Sequence, residues 1–307
     1  MSTPQASTLT AASPVYMRLP FFKRLRLAIR LYILKILASI FLRVVHFPGI
    51  VDTPTLPTFT KSYPCRSSLK NRIFIPKSYK SGDGLLPLYI DIHGGGFALM
   101  NPSVDDKFCS ALCYDHKILV VSIDYPKAPA HPYPAAVEAV IGLVNAILKD
   151  EDLPFDKSKV AIGGFSAGAN LSFAATQDES LQGKVGGVMA NYAPVDFSTP
   201  TEVQLASRPA DAGPDPLEHN VEMFKWGYLN PGQDLMDPML SVTYAPRDKL
   251  PPKIYIIGCE LDMFCRDAEI MAEKLARVGS GERTGSDAVW ERNGVKWEKV
   301  LGENHGL

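Results

Sequence analysis

Paired cysteines, internal repeats and a strong net charge are all missing from this chain of 307 residues. The five cysteines show no C-x-x-C spacing, so the sequence predicts neither a zinc site nor a disulfide framework, and a reducing intracellular compartment is expected. Cys109 and Cys113 lie four positions apart on a predicted helix, where two core thiols are expected. The formal net charge of −1 argues against a nucleic-acid partner.

Acidic residues are absent before Asp52, whereas the same stretch carries seven basic ones. These charges interrupt the apolar run Phe21–Phe47 too often for a spanning helix, which needs about 20 mostly apolar residues. They also spread around the helix and form a poor amphipathic stripe. Three interpretations stay open: a helical cap, a helix on an anionic membrane surface through residues 21–47, or a cleaved targeting segment that includes the Ser/Thr-rich stretch Met1–Ser13. The basic residues are Arg18, Lys23, Arg24, Arg26, Arg30, Lys35 and Arg43.

From residue 61 onward, short apolar strands alternate with helices, a pattern that predicts an α/β fold with a mostly parallel sheet covered on both faces. Residues 1–60 are expected to form a separate basic cap or anchor region, and 61–307 the α/β domain. A stretch rich in proline and aromatic residues, at about 198–252, is too long for a plain connection and predicts an inserted cap. The predicted strands are Arg72–Ile75, Leu86–His93, Ile118–Asp124, Val160–Phe165, Val185–Tyr192, Ile254–Cys259 and Trp297–Leu301. The predicted helices are Val104–Tyr114, Ala135–Lys149, Gly168–Gln177 and Arg266–Val278.

The run Gly164-Phe165-Ser166-Ala167-Gly168 lies directly between a predicted strand and a predicted helix. A nucleophilic serine in a G-x-S-x-G run needs this placement, because a sharp turn with small neighbours lifts its hydroxyl above the sheet. The alternative is a simple tight turn. The register of strand and helix favours Ser166 as a nucleophile.

Three consecutive glycines follow His93 at the end of the strand LPLYIDIH. A loop of this kind can expose backbone N–H groups to an oxyanion, as in H-G-G-G esterases. A phosphate-binding loop is disfavoured, because no Lys-Ser/Thr follows and the G-x-G-x-x-G spacing is absent. We expect His93 to orient the loop rather than to transfer protons.

A nucleophilic serine needs a base, and the base needs a carboxylate that orients it. In α/β hydrolases the chain order is serine, acid, histidine. Of the six histidines, only His305 follows the last predicted strand. Asp262 lies in the loop after the strand IYIIG and is the favoured acid. Glu260, Asp267 and Asp196 remain alternatives.

These motifs together resemble the hormone-sensitive-lipase-like branch of the α/β-hydrolases, the fold-3 group of esterases and lipases. The resemblance extends from about Leu86 to His305. It includes HGGGF at His93–Phe97, DYPKAPAHPYPAAVE at Asp124–Glu138, GFSAGANL at Gly164–Leu171 and ELD at Glu260–Asp262. It implies an α/β-hydrolase fold with a helical cap, which favours the cap interpretation of Phe21–Phe47. The implied site consists of Ser166 as nucleophile, Asp262 as acid, His305 as base, and the backbone N–H groups of Gly95, Gly96 and Ala167 as oxyanion donors.

The chain departs from this family pattern in three places. Phe165 precedes the nucleophile where many relatives have aspartate, which is expected to alter packing rather than chemistry. The polar, glycine-rich stretch Gly279–Lys296 is expected to be a surface loop. Only two residues follow His305, where relatives continue through a final helix, so a weakly held base is expected.

The resulting expectation is a serine carboxylic-ester hydrolase that acts on a small or medium apolar ester, without a metal or organic cofactor. Phe224, Trp226 and Tyr228 in the predicted cap suit an apolar substrate. The expected location is the cytoplasm or a membrane surface. Two alternatives on the same scaffold are a non-catalytic small-molecule receptor, similar to the gibberellin receptors, and a lyase, similar to the hydroxyisoflavanone dehydratases. Those receptors lack the histidine, and its presence here favours an enzyme.

Overall fold

The computed structural model describes residues 13–45, 55–80 and 82–306. Within these residues ten strands form one sheet, in the order β1-β2-β4-β3-β5-β6-β7-β10-β9-β8. The six central strands from β4 to β10 are parallel to one another, and the strands at both edges are antiparallel. The strands are β1 (Phe59–Tyr63), β2 (Arg66–Phe74), β3 (Leu86–Ile92), β4 (Leu119–Ile123), β5 (Phe155–Phe165), β6 (Gly187–Asn191), β7 (Lys253–Cys259), β8 (Thr284–Gly285), β9 (Val289–Arg292) and β10 (Val295–Val300).

Helices cover both faces of this sheet, because its central strands are apolar on both sides. Ile90 and Val121 point to the face covered by α3 and α4, whereas Tyr89 and Val120 point to the face covered by α2. The helices are α1 (Phe21–Val45), α2 (Asp106–His116), α3 (Ala135–Leu148), α4 (Ala167–Thr176), α5 (Thr201–Ala206), α6 (Val221–Tyr228) and α7 (Cys265–Ala276).

The polar stretch predicted as a surface loop, Gly279–Lys296, instead contains two strands, and that expectation was wrong. β9 pairs antiparallel with β10, and β8 pairs with β9, so the stretch extends the sheet at its edge. Trp290 is buried there, opposite Trp297 of β10. The two tryptophans supply packing that the polar composition of the stretch concealed. At the other edge, β1 was missed as well.

The N-terminal region and the inserted stretch lie against each other. Val15 bridges Asp234, and the backbone N–H of Tyr16 donates to Gln233 at 2.8 Å. Helix α1 packs on α6 of the insertion, where Leu31 approaches Gly227. The guanidinium of Arg30 also donates to the carbonyl of His219 at 3.0 Å. The N-terminal helix and the insertion, each predicted as a cap, are therefore in direct contact.

Candidate active site

Ser166 lies between β5 and α4 in a backbone conformation that non-glycine residues rarely adopt, with φ 51° and ψ −116°. A tight turn here requires small neighbours. A Cβ atom added at Gly168 would lie 1.9 Å from the carbonyl oxygen of Ile92, a distance that no side chain tolerates. Asn191 on β6 fixes the turn twice, by accepting from the Ser166 N–H at 2.9 Å and donating from its side chain to the Gly164 carbonyl at 3.0 Å. The sequence signal for Ser166 thus corresponds to a strained, tightly packed elbow.

His305 connects the serine to a buried carboxylate. Its Nε2 lies 2.8 Å from Oγ of Ser166, and its Nδ1 lies 2.8 Å from Oδ2 of Asp262. The Asp262 side chain is fully buried, and its other oxygen accepts from the Phe264 N–H at 3.1 Å. The carboxylate therefore holds the proton on Nδ1, which leaves Nε2 free to accept the serine proton.

Two aromatic rings enclose the imidazole. Tyr192 meets His305 edge-on at 4.8 Å between ring centroids, and Phe264 does so at 5.7 Å. Together with both hydrogen bonds, these contacts leave the His305 side chain 9% exposed. They oppose displacement of the imidazole from Ser166. The weak hold expected for His305 stays a prediction.

The alternative acids are engaged elsewhere. Glu260 accepts from the Gly302 N–H at 2.9 Å, and Asp267 accepts from the Gln204 amide at 2.7 Å. Asp196 accepts four hydrogen bonds from the backbone and hydroxyl groups of Ser198 and Thr199. Of the four carboxylates considered, only Asp262 contacts His305 among the described residues.

The glycine loop after β3 lies directly against the serine, since a Cβ atom added at Gly94 would be 3.5 Å from Cβ of Ser166. Gly95 has φ +114°, and its carbonyl accepts from the N–H groups of Ala98 and Leu99, which closes the loop. Gly96 and Ala167 line the cavity beside Ser166. Within the described residues, the N–H groups of Gly95, Gly96 and Ala167 have no protein acceptor. An unpaired set of this kind can bind an oxyanion.

His93 supports that loop from beneath. Burial and the neighbouring Lys127 ammonium lower the pKa of His93 to about 4, so at neutral pH the ring carries one N–H. Its Nδ1 lies 2.6 Å from the Gly94 carbonyl oxygen, and its Nε2 lies 3.2 Å from the Asp124 carboxylate. The ring also stacks on Tyr125 at 4.5 Å, and the Tyr125 hydroxyl donates to the same carbonyl at 3.3 Å. These contacts position the loop, and His93 lies apart from the proton path between Ser166 and Asp262.

An apolar cavity of about 60 Å³ opens beside Ser166. Aromatic and aliphatic residues line it, among them Phe97, Phe197, Leu217, Val221, Phe224 and Phe264. Of the three aromatic residues expected near the substrate, only Phe224 lines the cavity. Trp226 is two positions from Phe224 on α6 and therefore faces a different direction. Tyr228 lies one helical turn beyond Phe224, where it is buried and stacks on Phe97 at 3.9 Å.

Phe165, which replaces the aspartate of many relatives, takes part in the packing around the base. Its ring meets Phe108 edge-on at 4.9 Å and lies 5.9 Å from Tyr192. Tyr192 also contacts His305, so its ring connects Phe165 to the imidazole. The expectation that the replacement alters packing rather than chemistry stays a prediction.

Asp215 and Arg208 in the insertion were missed by sequence reasoning. Asp215 is buried and accepts from the Met263 N–H at 2.9 Å, next to Asp262. Arg208 donates to the Leu261 carbonyl at 2.6 Å and lies 3.5 Å from the Asp215 carboxylate. Both residues fix the loop that carries Asp262. Only the unusual cluster of charge within a proline-rich stretch could have indicated them.

No group of three or more His, Cys, Asp and Glu side chains in the described part of the chain is arranged to hold a metal ion. The cysteines are free thiols: four are buried and Cys65 is exposed. Burial raises the pKa of Cys113 to about 12 and also raises that of Cys109. The prediction that both are core thiols is confirmed by their burial.

Comparison with known proteins adds a family to this geometry. The family model of the alpha/beta hydrolase fold matches residues 89–284. The carboxylesterase NlhH of Mycobacterium tuberculosis is 29% identical over 266 residues, which cover 84% of this chain and 76% of that protein. An AB hydrolase superfamily protein of Schizosaccharomyces pombe is 26% identical over 228 residues, which are 69% of this chain and only 64% of that protein.

Solved structures agree with the architecture. The thermophilic carboxylesterase EstE1, cloned from a metagenomic library, superposes with a TM-score of 0.72 at 23% identity, over 90% of this chain and 88% of that one. The hyperthermophilic esterase of the archaeon Pyrobaculum calidifontis gives a TM-score of 0.70 at 23% identity, over 94% and 91%. At this level of identity the similarity concerns the fold. The α/β fold predicted from strand and helix alternation is confirmed.

Proposed function

The chain belongs to the alpha/beta hydrolase fold family, and from this premise we propose that it is a serine carboxylesterase in which Ser166, His305 and Asp262 cleave small apolar esters. The resemblance drawn from its motifs is to the same family. Carboxylesterases among the relatives support the general reaction. The catalytic roles and the substrate are inferred from the site.

One observation carries the proposal: an unbroken hydrogen-bonded path runs from Oγ of Ser166 through His305 to Asp262, with 2.8 Å at each step. A serine hydroxyl is a weak nucleophile until a neighbouring base takes its proton. The path ends in a carboxylate without exposed surface, where the charge has few other partners. At the other end of the path, Ser166 lies beside the unpaired N–H groups of the glycine loop, and this arrangement supports acyl transfer over a purely structural role.

The reaction follows from these positions. Nε2 of His305 takes the Ser166 proton while Oγ forms a bond to the substrate carbonyl carbon, and the carbonyl electrons move onto its oxygen. The N–H groups of Gly95, Gly96 and Ala167 stabilise that oxyanion; losing one such donor typically costs about 10²–10³ in rate. When the oxyanion collapses, the carbon–alkoxy bond breaks and His305 gives its proton to the departing alkoxide oxygen, which leaves as the alcohol. Water then repeats the sequence on the acyl-enzyme, releases the acid and restores Ser166.

The cavity favours a short acyl group. Its volume is only about 60 Å³. Phe224 limits one side, since its ring packs over Gly96. We therefore expect acetyl to butyryl esters to be preferred over longer ones.

We further propose that two segments build the cap of this site. α6 of the insertion places Val221 and Phe224 at the cavity, and α1 packs against α6 from outside. The Lys23–Glu222 ion pair and the bond from Arg30 to the His219 carbonyl connect the two segments. The cap interpretation of Phe21–Phe47 is thus preferred for residues 21–45. The remaining positions, 46 and 47, lie outside the described residues.

The test is turnover of p-nitrophenyl acetate and butyrate by the wild-type chain, Ser166→Ala and a matched control, Ser158→Ala. Ser158 is exposed at the start of β5 and far along the strand from the elbow. Wild type and Ser158→Ala should release nitrophenol at equal rates, and Ser166→Ala should lose at least about 10³ in kcat. Equal slow release by all three proteins would refute esterase activity. Ligand binding without turnover would instead favour a receptor.

A further inference from the structure

Helix α1 is apolar on two opposite faces. Its inner face, formed by Leu27, Leu31, Ala38 and Leu42, is buried against the protein. Its outer face leaves large apolar side chains in solvent, with Phe22 82% and Ile36 60% exposed. This duplication explains the poor amphipathic stripe in the sequence, because a second apolar face cancels the contrast between sides. The exposed apolar residues of α1 are Phe21, Phe22, Leu25, Ile29, Tyr32, Ile33, Ile36, Leu37, Ile40, Phe41 and Val44.

The outer face is continuous. With 100° per residue, Phe22, Ile29, Ile33, Ile36 and Ile40 lie within about 60° of one another, along a helix about 37 Å long. A contiguous exposed apolar patch of this extent is unusual for a monomeric soluble protein and indicates an interaction surface. It differs from scattered surface apolar residues, which need no explanation.

The charges of α1 are exclusively positive, and the exposed ones lie toward its two ends. Lys23 and Arg26 are exposed near the start, and Arg43 near the finish. Between Arg30 and Arg43 the one charged residue is Lys35, whose ammonium donates to the Ala128 carbonyl at 2.7 Å on the protein side. The middle of the outer face therefore has no charge, and basic side chains flank it.

We propose that the outer face of α1 docks on an anionic lipid surface, with the helix lying in the plane of the membrane. The apolar side chains would enter the boundary between headgroups and acyl chains, and Arg26 and Arg43 would reach the phosphates. A second copy of the chain fits less well. Antiparallel pairing of two α1 helices would bring Arg26 of each copy near Arg43 of the other, and α1 has no acidic residue to compensate.

The composition and packing of α1 agree with docking on a membrane surface rather than insertion across the membrane. In the described part of the chain, no helix is long and apolar enough to cross a membrane. The inner face of α1 also packs against α6, where a Cβ atom added at Gly227 would lie 3.0 Å from Leu31. Because α6 also lines the cavity, docking would place the cap between the lipid and Ser166. Docking itself does not depend on the proposed catalysis.

Vesicle flotation of the full chain tests the proposal, with phosphatidylcholine vesicles prepared with or without phosphatidylserine. The variant is Ile36→Asp/Ile40→Asp, which adds two charges to the middle of the outer face. Its matched control is Leu85→Asp/Val278→Asp, which makes the same change at exposed apolar residues away from α1. Far-UV circular dichroism verifies folding, and sedimentation equilibrium measures the oligomeric state of each protein.

Wild type and the control should float with phosphatidylserine vesicles, and less with phosphatidylcholine alone. Ile36→Asp/Ile40→Asp should bind at least about 10-fold more weakly, because its carboxylates would have to leave water. The proposal is overturned if wild type stays unbound with both vesicles, or if the variant floats as well as wild type. A wild-type dimer that the variant dissociates, without vesicle binding, would assign the face to a second copy instead.

Discussion

Replacing Asp215 by asparagine should weaken both the fold and the catalysis, although this residue touches no reacting atom. Its carboxylate accepts from the Leu217 N–H at 2.7 Å and from the Met263 N–H at 2.9 Å. It also lies 3.5 Å from the guanidinium of Arg208, whose side chain is only 8% exposed. Asparagine keeps the volume and one acceptor, but turns an NH2 group toward one of the two amides and removes the charge opposite Arg208.

The magnitude follows from these contacts. A lost hydrogen bond to a charged group costs about 1.5–3 kcal/mol, and an uncompensated buried charge costs about 3–5 kcal/mol. Because the arginine retains its bond to the Leu261 carbonyl, we expect a combined loss of about 3 kcal/mol. The loop that carries Asp262 should also relax. A displacement of about 1 Å can cost about 10²-fold in rate, so kcat should fall by about 10–100-fold with KM nearly unchanged.

Urea unfolding gives the stability change, and p-nitrophenyl butyrate kinetics below the unfolding transition give kcat and KM. Asp211→Asn is the matched control, since Asp211 is exposed in the same insertion. Unfolding of Asp215→Asn at the same urea concentration as the control would contradict the stabilising contacts of Asp215. A fall in stability without a fall in kcat would contradict the link between Asp215 and Asp262.

Three further perturbations have expected outcomes. Phe224→Ala enlarges the cavity and should raise kcat/KM for p-nitrophenyl octanoate relative to butyrate by about 10-fold. An unchanged ratio would contradict the proposal that Phe224 limits the acyl group. Burial and the Asp91 carboxylate raise the pKa of Asp105 well above its usual range, so the folded protein keeps a proton that the unfolded chain loses above about pH 4. This penalty grows as pH rises, and Asp105→Asn should therefore raise Tm near pH 8 but hardly near pH 4; an equal effect at both would refute the assignment. Thiol titration should detect one reactive cysteine, Cys65, in the native protein and all five in denaturant; early reaction of Cys109 would contradict its burial.

The local parts of the site were predictable because each depends on a short stretch of chain. Ser166 needs a strand, a sharp turn and a helix in immediate succession, and the glycine loop ends a strand in the same way. His305 and Asp262 followed from their order and from the strands before them. Their mutual contact required parallel strands whose carboxyl ends meet at one edge of the sheet.

Other parts depend on packing between distant segments, which one sequence does not reveal. Asp215 carries no local pattern, and its role arises only because the insertion folds back on residues 261–263. The helical register of α6 decided that Phe224 and not Trp226 faces the cavity. Likewise, α1 seemed weakly amphipathic because it has two apolar faces, one buried against the protein and one exposed.

The most direct test of the central claim is covalent labelling with diethyl p-nitrophenyl phosphate, followed by peptide mass spectrometry. We expect one diethylphosphoryl group per chain, on Ser166, with esterase activity lost in proportion to labelling. His305→Ala should slow the labelling, because the serine then lacks the base that takes its proton. Labelling of another residue, or full esterase activity in a fully labelled protein, would contradict the assignment of Ser166 as the nucleophile.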